Sequence, residues 1–168
     1  TDDGLDTIGQ LSDPRIRLVH NPHNLGLIAT LNRGLEMARA PLVARMDADD
    51  IALPTRLERQ FEVFAAQPEL ALLGTAATTI DECGQAFGAI DVLVKHEEIV
   101  QSILHQNAFI HPSVMMQASV ARAMGGYPAD AHHAEDYALW LQIASRYPVG
   151  NLPERLMQYR VHPGQVSQ

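Results

Sequence analysis

The sequence is poor in cysteine and in long apolar runs. Its 168 residues include one cysteine, Cys83, so the chain builds neither an internal disulfide framework nor a thiolate-based metal cluster. A lone cysteine fits a reducing compartment. No uninterrupted apolar run approaches the roughly 18 residues of a membrane-spanning helix, and no basic-then-apolar leader begins the sequence. These absences predict a fold that is stable in water.

Positive charge is also scarce. Twelve basic residues stand against twenty acidic ones, which gives a formal charge of −8 and a pI near 5.3. Such a chain is poorly suited to gripping a phosphate backbone by bulk charge, so nucleic acid is not an expected partner. Lys95 is the only lysine, and the sequence has no glycine-rich phosphate loop. Any phosphate bound by this chain is therefore expected to need a metal ion.

Apolar residues, in contrast, are plentiful at 46%, with 19% charged residues, as in a globular protein. A length of 168 residues is that of one ordinary domain. No repeat, low-complexity tract or linker divides the sequence. We therefore expect residues 1–168 to form one domain.

Predicted strands and helices alternate along the first half of the chain. Apolar patterns predict strands at 16–19, 42–46, 70–80, 113–117 and 155–159, and helices at 27–39, 97–104, 119–124 and 135–146. A further helix, between the second and third strands, carries Leu57, Phe61 and Phe64 on its expected inward face. The run 70–80 is typical of a strand buried on both faces. The pattern predicts an α/β layered fold with a mostly parallel central sheet, whose sites gather beyond the carboxyl ends of strands.

An acidic turn directly follows the apolar strand 42–46. Asp47, Asp49 and Asp50 lie within four residues, and their mutual repulsion opposes folding unless a cation or hydrogen-bond donors compensate. In an extended turn Asp47 and Asp49 can face one point, and their hard oxygen ligands suit Mg²⁺ or Mn²⁺ that also holds a diphosphate. The alternative is that Asp49 or Asp50 merely caps a turn before the next helix.

A second acidic pair, Glu135 and Asp136, stands at the start of the predicted helix 135–146. The helix dipole favours acidic residues there whatever their function. A neighbouring carboxylate also raises an aspartate's proton affinity toward the range of a general base. Trp140 follows Asp136 by about one helical turn and is either an acceptor platform or part of the core.

A series of different short motifs extends along almost the whole chain in a characteristic order and spacing. They are Asn24-Leu25-Gly26, Leu31-Asn32-Arg33-Gly34, Ala44-Arg45-Met46-Asp47-Ala48-Asp49-Asp50, Leu53-Pro54-Thr55-Arg56-Leu57, Gly74-Thr75, His111-Pro112-Ser113-Val114-Met115, Gly125-Gly126-Tyr127, Ala134-Glu135-Asp136-Tyr137-Ala138-Leu139-Trp140 and Tyr159-Arg160-Val161-His162-Pro163-Gly164. Together they resemble the family 2 glycosyltransferases. The resemblance implies the GT-A fold, a Rossmann-like fold of nucleotide-diphospho-sugar transferases.

The resemblance also implies roles for the two acidic sites. It makes Asp49 the metal ligand, and it places Asp47 against the ribose or the metal shell. His162 is a candidate third metal ligand or phosphate contact, because Mn²⁺ tolerates imidazole although it prefers carboxylate. Asp136, beside Glu135, becomes the general base on the acceptor hydroxyl.

Three further residues are candidates for the donor site. Asn24 and Asn32 belong to a stretch that similar enzymes place beside the nucleotide. Arg160 is a candidate to contact the donor phosphates through charge-assisted hydrogen bonds, the alternative being a surface ion pair.

The predicted function is transfer of a sugar from a nucleotide-diphosphate-sugar donor to a carbohydrate or lipid-linked acceptor hydroxyl, with inversion and with Mn²⁺ or Mg²⁺. Two alternatives stay open, namely a catalytically inactive transferase-like binding module and a metal-dependent nucleotidyltransferase or phosphohydrolase. The resemblance further predicts a role in polysaccharide biosynthesis. It also predicts a cytoplasmic location, with peripheral association at the inner face of the membrane.

The chain departs from the family pattern at its beginning. Similar enzymes open with a buried strand, a crossover helix and a second strand that ends in a turn binding the nucleobase and ribose. Residues 1–6 resemble the tail of that turn, while the other register makes Asp2-Asp3-Gly4 the turn itself and requires a deletion afterwards. Either register predicts an N-terminally incomplete domain, with 1–50 as the rest of the nucleotide-binding half and 51–168 as the metal and acceptor half.

Overall fold

A computed structural model describes residues 8–162, in which helices pack on a six-stranded sheet. The helices are α1 (Leu27–Met37), α2 (Arg56–Ala66), α3 (His96–Ser102), α4 (Ala118–Ala123) and α5 (Glu135–Ala144), and a 3₁₀ turn covers His111–Ser113. The strands are β1 (Leu42–Ala44), β2 (Ile51–Ala52), β3 (Leu72–Ile80), β4 (Ala86–Ile90), β5 (Met115–Gln117) and β6 (Val149–Arg160). None of the helices in this part of the chain is long and apolar enough to cross a membrane.

The strands form one mixed sheet in the order β1-β5-β3-β6-β2, with β4 paired to β3. Strands β3 and β6 pair in parallel, from Leu72 opposite Val149 to Ile80 opposite Arg160. The other four pairings within residues 8–162 are antiparallel. The α/β class is confirmed, but the mostly parallel sheet is corrected to a mixed one. Burial of 70–80 on both faces carries no information about the direction of its neighbours, and a tight turn after β3 sends β4 back antiparallel.

Strand β3 is the buried centre of the fold. Its successive side chains point to opposite faces, so Leu72 joins the main core and Leu73 a smaller one. The main core is built around Trp140 and its neighbours from helices α3 and α5, and the smaller core includes Phe64 of α2. Trp140 is fully buried and belongs to the core, where it cannot serve as an exposed acceptor platform.

Helix α2 buries a different face from the one predicted. Phe64 is 6% exposed as expected, but Leu57 and Phe61 are 54% and 60% exposed. The buried face instead carries Gln60, whose amide donates to two backbone carbonyls at 2.9 Å each. A polar side chain can be buried when its hydrogen bonds are satisfied in this way, and an apolar pattern alone does not show it.

Several other predicted boundaries change. The expected strand 16–19 is irregular and pairs with no strand in the described residues, and Leu18 and Val19 remain exposed. The short strands β2 and β4 were not predicted, because two residues at β2 and the glycine-containing β4 give little periodic signal. Residues 1–6, which are predicted to form the tail of the base-binding turn or, in the other register, the turn itself, lie outside the described residues. The division into halves at residue 50 stays a prediction.

The two phenylalanines of α2 provide a matched test of its orientation. We expect Phe64→Ala to lower the free energy of unfolding by about 3 kcal/mol, because it opens a cavity in the core. Phe61→Ala should change it by less than about 0.5 kcal/mol, because the ring is mostly in solvent. Urea denaturation of both variants measures the difference. Equal losses would mean that the outward face of α2 is covered.

Candidate functional site

A cavity of ≈ 640 Å³ lies where the acidic turn after β1 faces the beginning of helix α5. The predicted site residues on its walls are Asp47, Asp49, Glu135, Asp136 and His162. The carboxyl end of a sheet strand therefore carries one wall, and the first turn of a helix carries the other. The structure brings together two acidic groups that are far apart in the sequence.

Three carboxylates crowd the first wall. One ligand oxygen from each of Asp47, Asp49 and Asp50 lies within 4.8 Å of the others. Asp50 accepts a hydrogen bond of 2.8 Å from the backbone N–H of Arg160, while its Oδ2 is buried without a hydrogen-bond partner among residues 8–162. Burial, with further contributions from the other two aspartates, raises the pKa of Asp50 to about 6. An orphaned carboxylate oxygen in a cluster of hard oxygen ligands fits Mg²⁺ or Mn²⁺.

Two buried arginines support the acidic turn. Arg45 forms an ion pair with Asp47. Arg56, which is 1% exposed, donates to the carbonyls of Arg45 at 2.8 Å and Val114 at 3.3 Å. Burial lowers the pKa of Arg56 to about 10, so the guanidinium stays charged at neutral pH. It ties the end of β1 to the segment that leads into β5.

Both arginines lie within the motifs of the sequence analysis, but the sequence alone indicated no role for them. Their burial is a tertiary property, and charged side chains are usually predicted to be exposed.

The end of β6 closes the acidic turn from the other side. The imidazole Nε2 of His162 lies 3.3 Å from Oδ2 of Asp49. The guanidinium of Arg160 donates to the carbonyls of Asp49 at 2.8 Å and Asp81 at 2.7 Å. Arg160 therefore holds backbone on this wall and does not line the cavity. Its contact with donor phosphates and the ligand role of His162 stay predictions.

Asp136 projects from the first turn of α5 into the cavity. Its Oδ2 accepts a hydrogen bond of 2.9 Å from the amide of Asn107 and lies 3.9 Å from Nδ1 of His111. Burial raises the pKa of Asp136, while backbone donation from Tyr137 and the Asn107 amide oppose the rise. Burial also lowers the pKa of His111 to about 3, so this imidazole is neutral and the 3.9 Å contact is not an ion pair. Glu135 is buried beside Asp136.

The two asparagines predicted for the donor site lie off this cavity. Asn24 accepts a hydrogen bond of 2.9 Å from the backbone of Gly26, which has a φ of 78°, and so closes a turn before α1. Asn32 bonds the backbone of Tyr127 twice, each time at 2.8 Å. These bonds explain an asparagine inside a helix. Asn32 lines a second, ≈ 600 Å³ cavity, and a nucleotide contact of either asparagine stays a prediction.

The α/β fold, with an acidic turn at a strand end facing an acidic helix start, fits the GT-A fold class. The family model of glycosyl transferase family 2 matches residues 1–122, and the chain belongs to this family.

Curated relatives agree with this assignment. The chain is 39% identical over 147 residues to the amylovoran biosynthesis glycosyltransferase AmsE of Erwinia amylovora, covering 86% of this chain and 54% of the relative. It is 34% identical over 135 residues to the O-antigen biosynthesis glycosyltransferase WbnJ of Escherichia coli, covering 79% and 52%. A UDP-Gal:alpha-D-GlcNAc-diphosphoundecaprenol beta-1,3-galactosyltransferase of Escherichia coli is 29% identical over 138 residues, covering 82% and 50%. The chain thus spans about half the length of these relatives.

The support of the acidic turn by Arg56 can be tested by conservative substitution. We expect Arg56→Lys to lower the free energy of unfolding by about 2 kcal/mol, because one ammonium cannot replace both Nη2, which donates to two backbone carbonyls, and Nε, which donates to Gln60. Arg59→Lys, on the exposed side of the same helix, should leave stability close to that of the wild type. Urea denaturation followed by circular dichroism measures both variants. Equal stability of the two variants would contradict this role of Arg56.

Proposed function

We propose that the protein containing this chain transfers a sugar from a nucleotide-diphosphate-sugar donor to an acceptor hydroxyl, with inversion at the sugar. The observation that carries the proposal is the cavity itself, which sets three clustered carboxylates opposite the partly buried carboxylate of Asp136. Family membership supports the reaction class. We assign metal and diphosphate binding to one wall of the cavity and the general base to the other.

The acidic turn is the proposed metal and diphosphate wall. Asp49 and Asp47, with His162, hold a divalent cation, Mn²⁺ or Mg²⁺, and the clustered carboxylate of Asp50 fits the same ion. When bound, the cation supplies positive charge that stabilises the leaving diphosphate. Arg45 orients Asp47 through their ion pair.

Asp136 is the proposed general base. In an inverting transfer the acceptor oxygen forms the new bond to the anomeric carbon as the bond to the diphosphate breaks, and the hydroxyl proton passes to a carboxylate. Burial raises the pKa of Asp136, which strengthens it as a base. The proximity of Glu135 contributes to the rise.

The acceptor is proposed to be a carbohydrate or a lipid-linked sugar. Two relatives are named for amylovoran and O-antigen biosynthesis, and a third is named for a diphosphoundecaprenol-linked acceptor. These names favour a role in polysaccharide biosynthesis. A cytoplasmic site of action at the inner face of the membrane stays a prediction of the family resemblance.

Metal-dependent donor binding is the first test. We expect uridine diphosphate, as a probe, to bind the full-length protein at least about tenfold more tightly with Mn²⁺ than with EDTA, because the cation would offset the repulsion between the carboxylates and the diphosphate. Asp49→Ala should abolish this difference, and Glu58→Ala, on an exposed helix face, should preserve it. Titration calorimetry measures each affinity. Binding that ignores Mn²⁺ would contradict the metal role of Asp47 and Asp49.

Substitution of the proposed base separates chemistry from binding. We expect Asp136→Asn to lower kcat by about 10²- to 10⁴-fold, because the amide cannot accept the acceptor's proton. Affinity for the donor should change little, since the substituted group acts on the acceptor. Asp130→Asn, in an exposed turn nearby, is the control.

Transfer of radiolabelled sugar measures these rates. Retained transfer in Asp136→Asn would assign the base elsewhere. Donor binding without transfer or donor hydrolysis in the wild type would favour the inactive binding module.

A further inference from the structure

We propose that Asn107 is a positioning residue for Asp136, whose carboxylate it holds toward the cavity and stabilises in the ionised form. The carrying contact is the 2.9 Å hydrogen bond from Nδ2 of Asn107 to Oδ2 of Asp136. The inference rests on the proposed role of Asp136 as the base. Asn107 lies outside every motif of the sequence analysis.

The orientation of the Asn107 amide is determined by two different partners. Its Oδ1 accepts a hydrogen bond of 3.1 Å from the backbone N–H of Phe109, and its Nδ2 donates to the carboxylate of Asp136. A flipped amide would set its NH₂ group against an N–H and its oxygen against a carboxylate. Only the observed orientation satisfies both contacts.

The backbone around Asn107 is itself anchored in the core. The ring of Phe109 is buried and lies 6.1 Å from the ring of Trp140, measured between centroids. Trp140 belongs to the same helix as Asp136. The loop that carries Asn107 and the helix that carries the base are therefore packed against each other. This packing keeps the Asn107 amide within hydrogen-bonding distance of the Asp136 carboxylate.

The groups closest to Asp136 determine how well its ionised form is stabilised, and the Asn107 amide is one of them. Glu135 disfavours ionisation of Asp136, whereas the first-turn backbone N–H groups of α5 favour it. His111 is neutral at ordinary pH because burial lowers its pKa to about 3, and its Nε2 lies 3.2 Å from the hydroxyl of Tyr127. Charged and titratable groups also line the same cavity, namely Arg45, Asp47, Asp49, Asp50, His133 and His162. Since His111 supplies no positive charge, the hydrogen bond from the Asn107 amide is the close side-chain contact that opposes the effect of burial on the pKa of Asp136.

A serine at position 107 separates positioning from a merely structural role. Its hydroxyl can still accept the N–H two residues ahead, as in the turns that serine commonly closes, but it is too short to reach Asp136. The loop contact is thus kept and the donor to the carboxylate is lost without a change in charge. Asn107→Asp keeps the loop acceptor as well, but it places a second carboxylate against Asp136.

The test combines a pH profile with a titration that does not depend on activity. In the full-length protein we expect Asn107→Ser to raise the pKa of Asp136 by about half a unit to one unit, and Asn107→Asp by more. The acidic limb of kcat/KM should move upward by the same amount. At the pH optimum kcat should fall roughly tenfold in Asn107→Ser, with KM for the donor unchanged, because the base is misoriented.

Carbon-13 NMR of labelled aspartate carboxyls reports the pKa directly, and the signal of Asp136 is assigned by its loss in Asp136→Asn. Gln106→Ser is the control, because Gln106 is exposed and bonds only within its own segment, to Ser102 at 3.0 Å. It should match the wild type in both measurements.

Two outcomes would overturn the inference, and they are distinguishable. If Asn107→Ser leaves both the Asp136 titration and kcat unchanged, Asn107 serves only its loop. If the titration moves as expected but Asp136→Asn still transfers sugar, the contact is real and the failure lies in the proposed base. A shift confined to Asn107 variants, with loss of transfer in Asp136→Asn, supports the whole inference.

Discussion

The mutual repulsion of three carboxylates at the end of β1 is the constraint on which the rest of the site depends. Asp47, Asp49 and Asp50 are held within a few ångströms of one another, and Asp47 and Asp50 are partly removed from water, an arrangement that opposes folding without compensation. The fold supplies part of that compensation. Arg45 pairs with one carboxylate, and the backbone of Arg160 donates to another. What remains uncompensated, including a buried oxygen of Asp50, is available to a cation.

The long β3–β6 pairing brings the second half of the chain to this turn. Because β6 runs parallel to β3 as far as Arg160, its end is delivered beside the acidic turn, where Arg160 and His162 contact Asp49. The position of α5 is set by packing, because its fully buried Trp140 belongs to the main core. The first turn of that helix then presents Asp136 across the cavity. The two walls are therefore positioned by different parts of one packed core.

Local patterns predicted those site residues whose neighbours in the sequence carry the signal. Asp47 and Asp49 directly follow an apolar strand, and Asp136 lies in the first turn of a periodic helix, so all three could be found from the sequence and its family resemblance. Asn107 could not, since a single amide in an irregular loop has no periodicity to mark it. The prediction of the inward face of α2 was wrong for a related reason. Gln60 is buried because the carbonyls of Leu73 and Ser113 accept hydrogen bonds from its amide, and the sequence of the helix does not contain those partners.

By itself the sequence determined the order of most elements, the α/β class, the acidic turn and the family likeness, because each depends on neighbouring residues or on motif order. Only the tertiary structure decided the mixed sheet, the outward position of Phe61 and the shared cavity of Asp47 and Asp136. It also decided that Asn32 secures the backbone of Tyr127. The physical reason is that strand direction, burial of polar groups and the meeting of two loops depend on contacts between residues far apart in the chain, which no local period records.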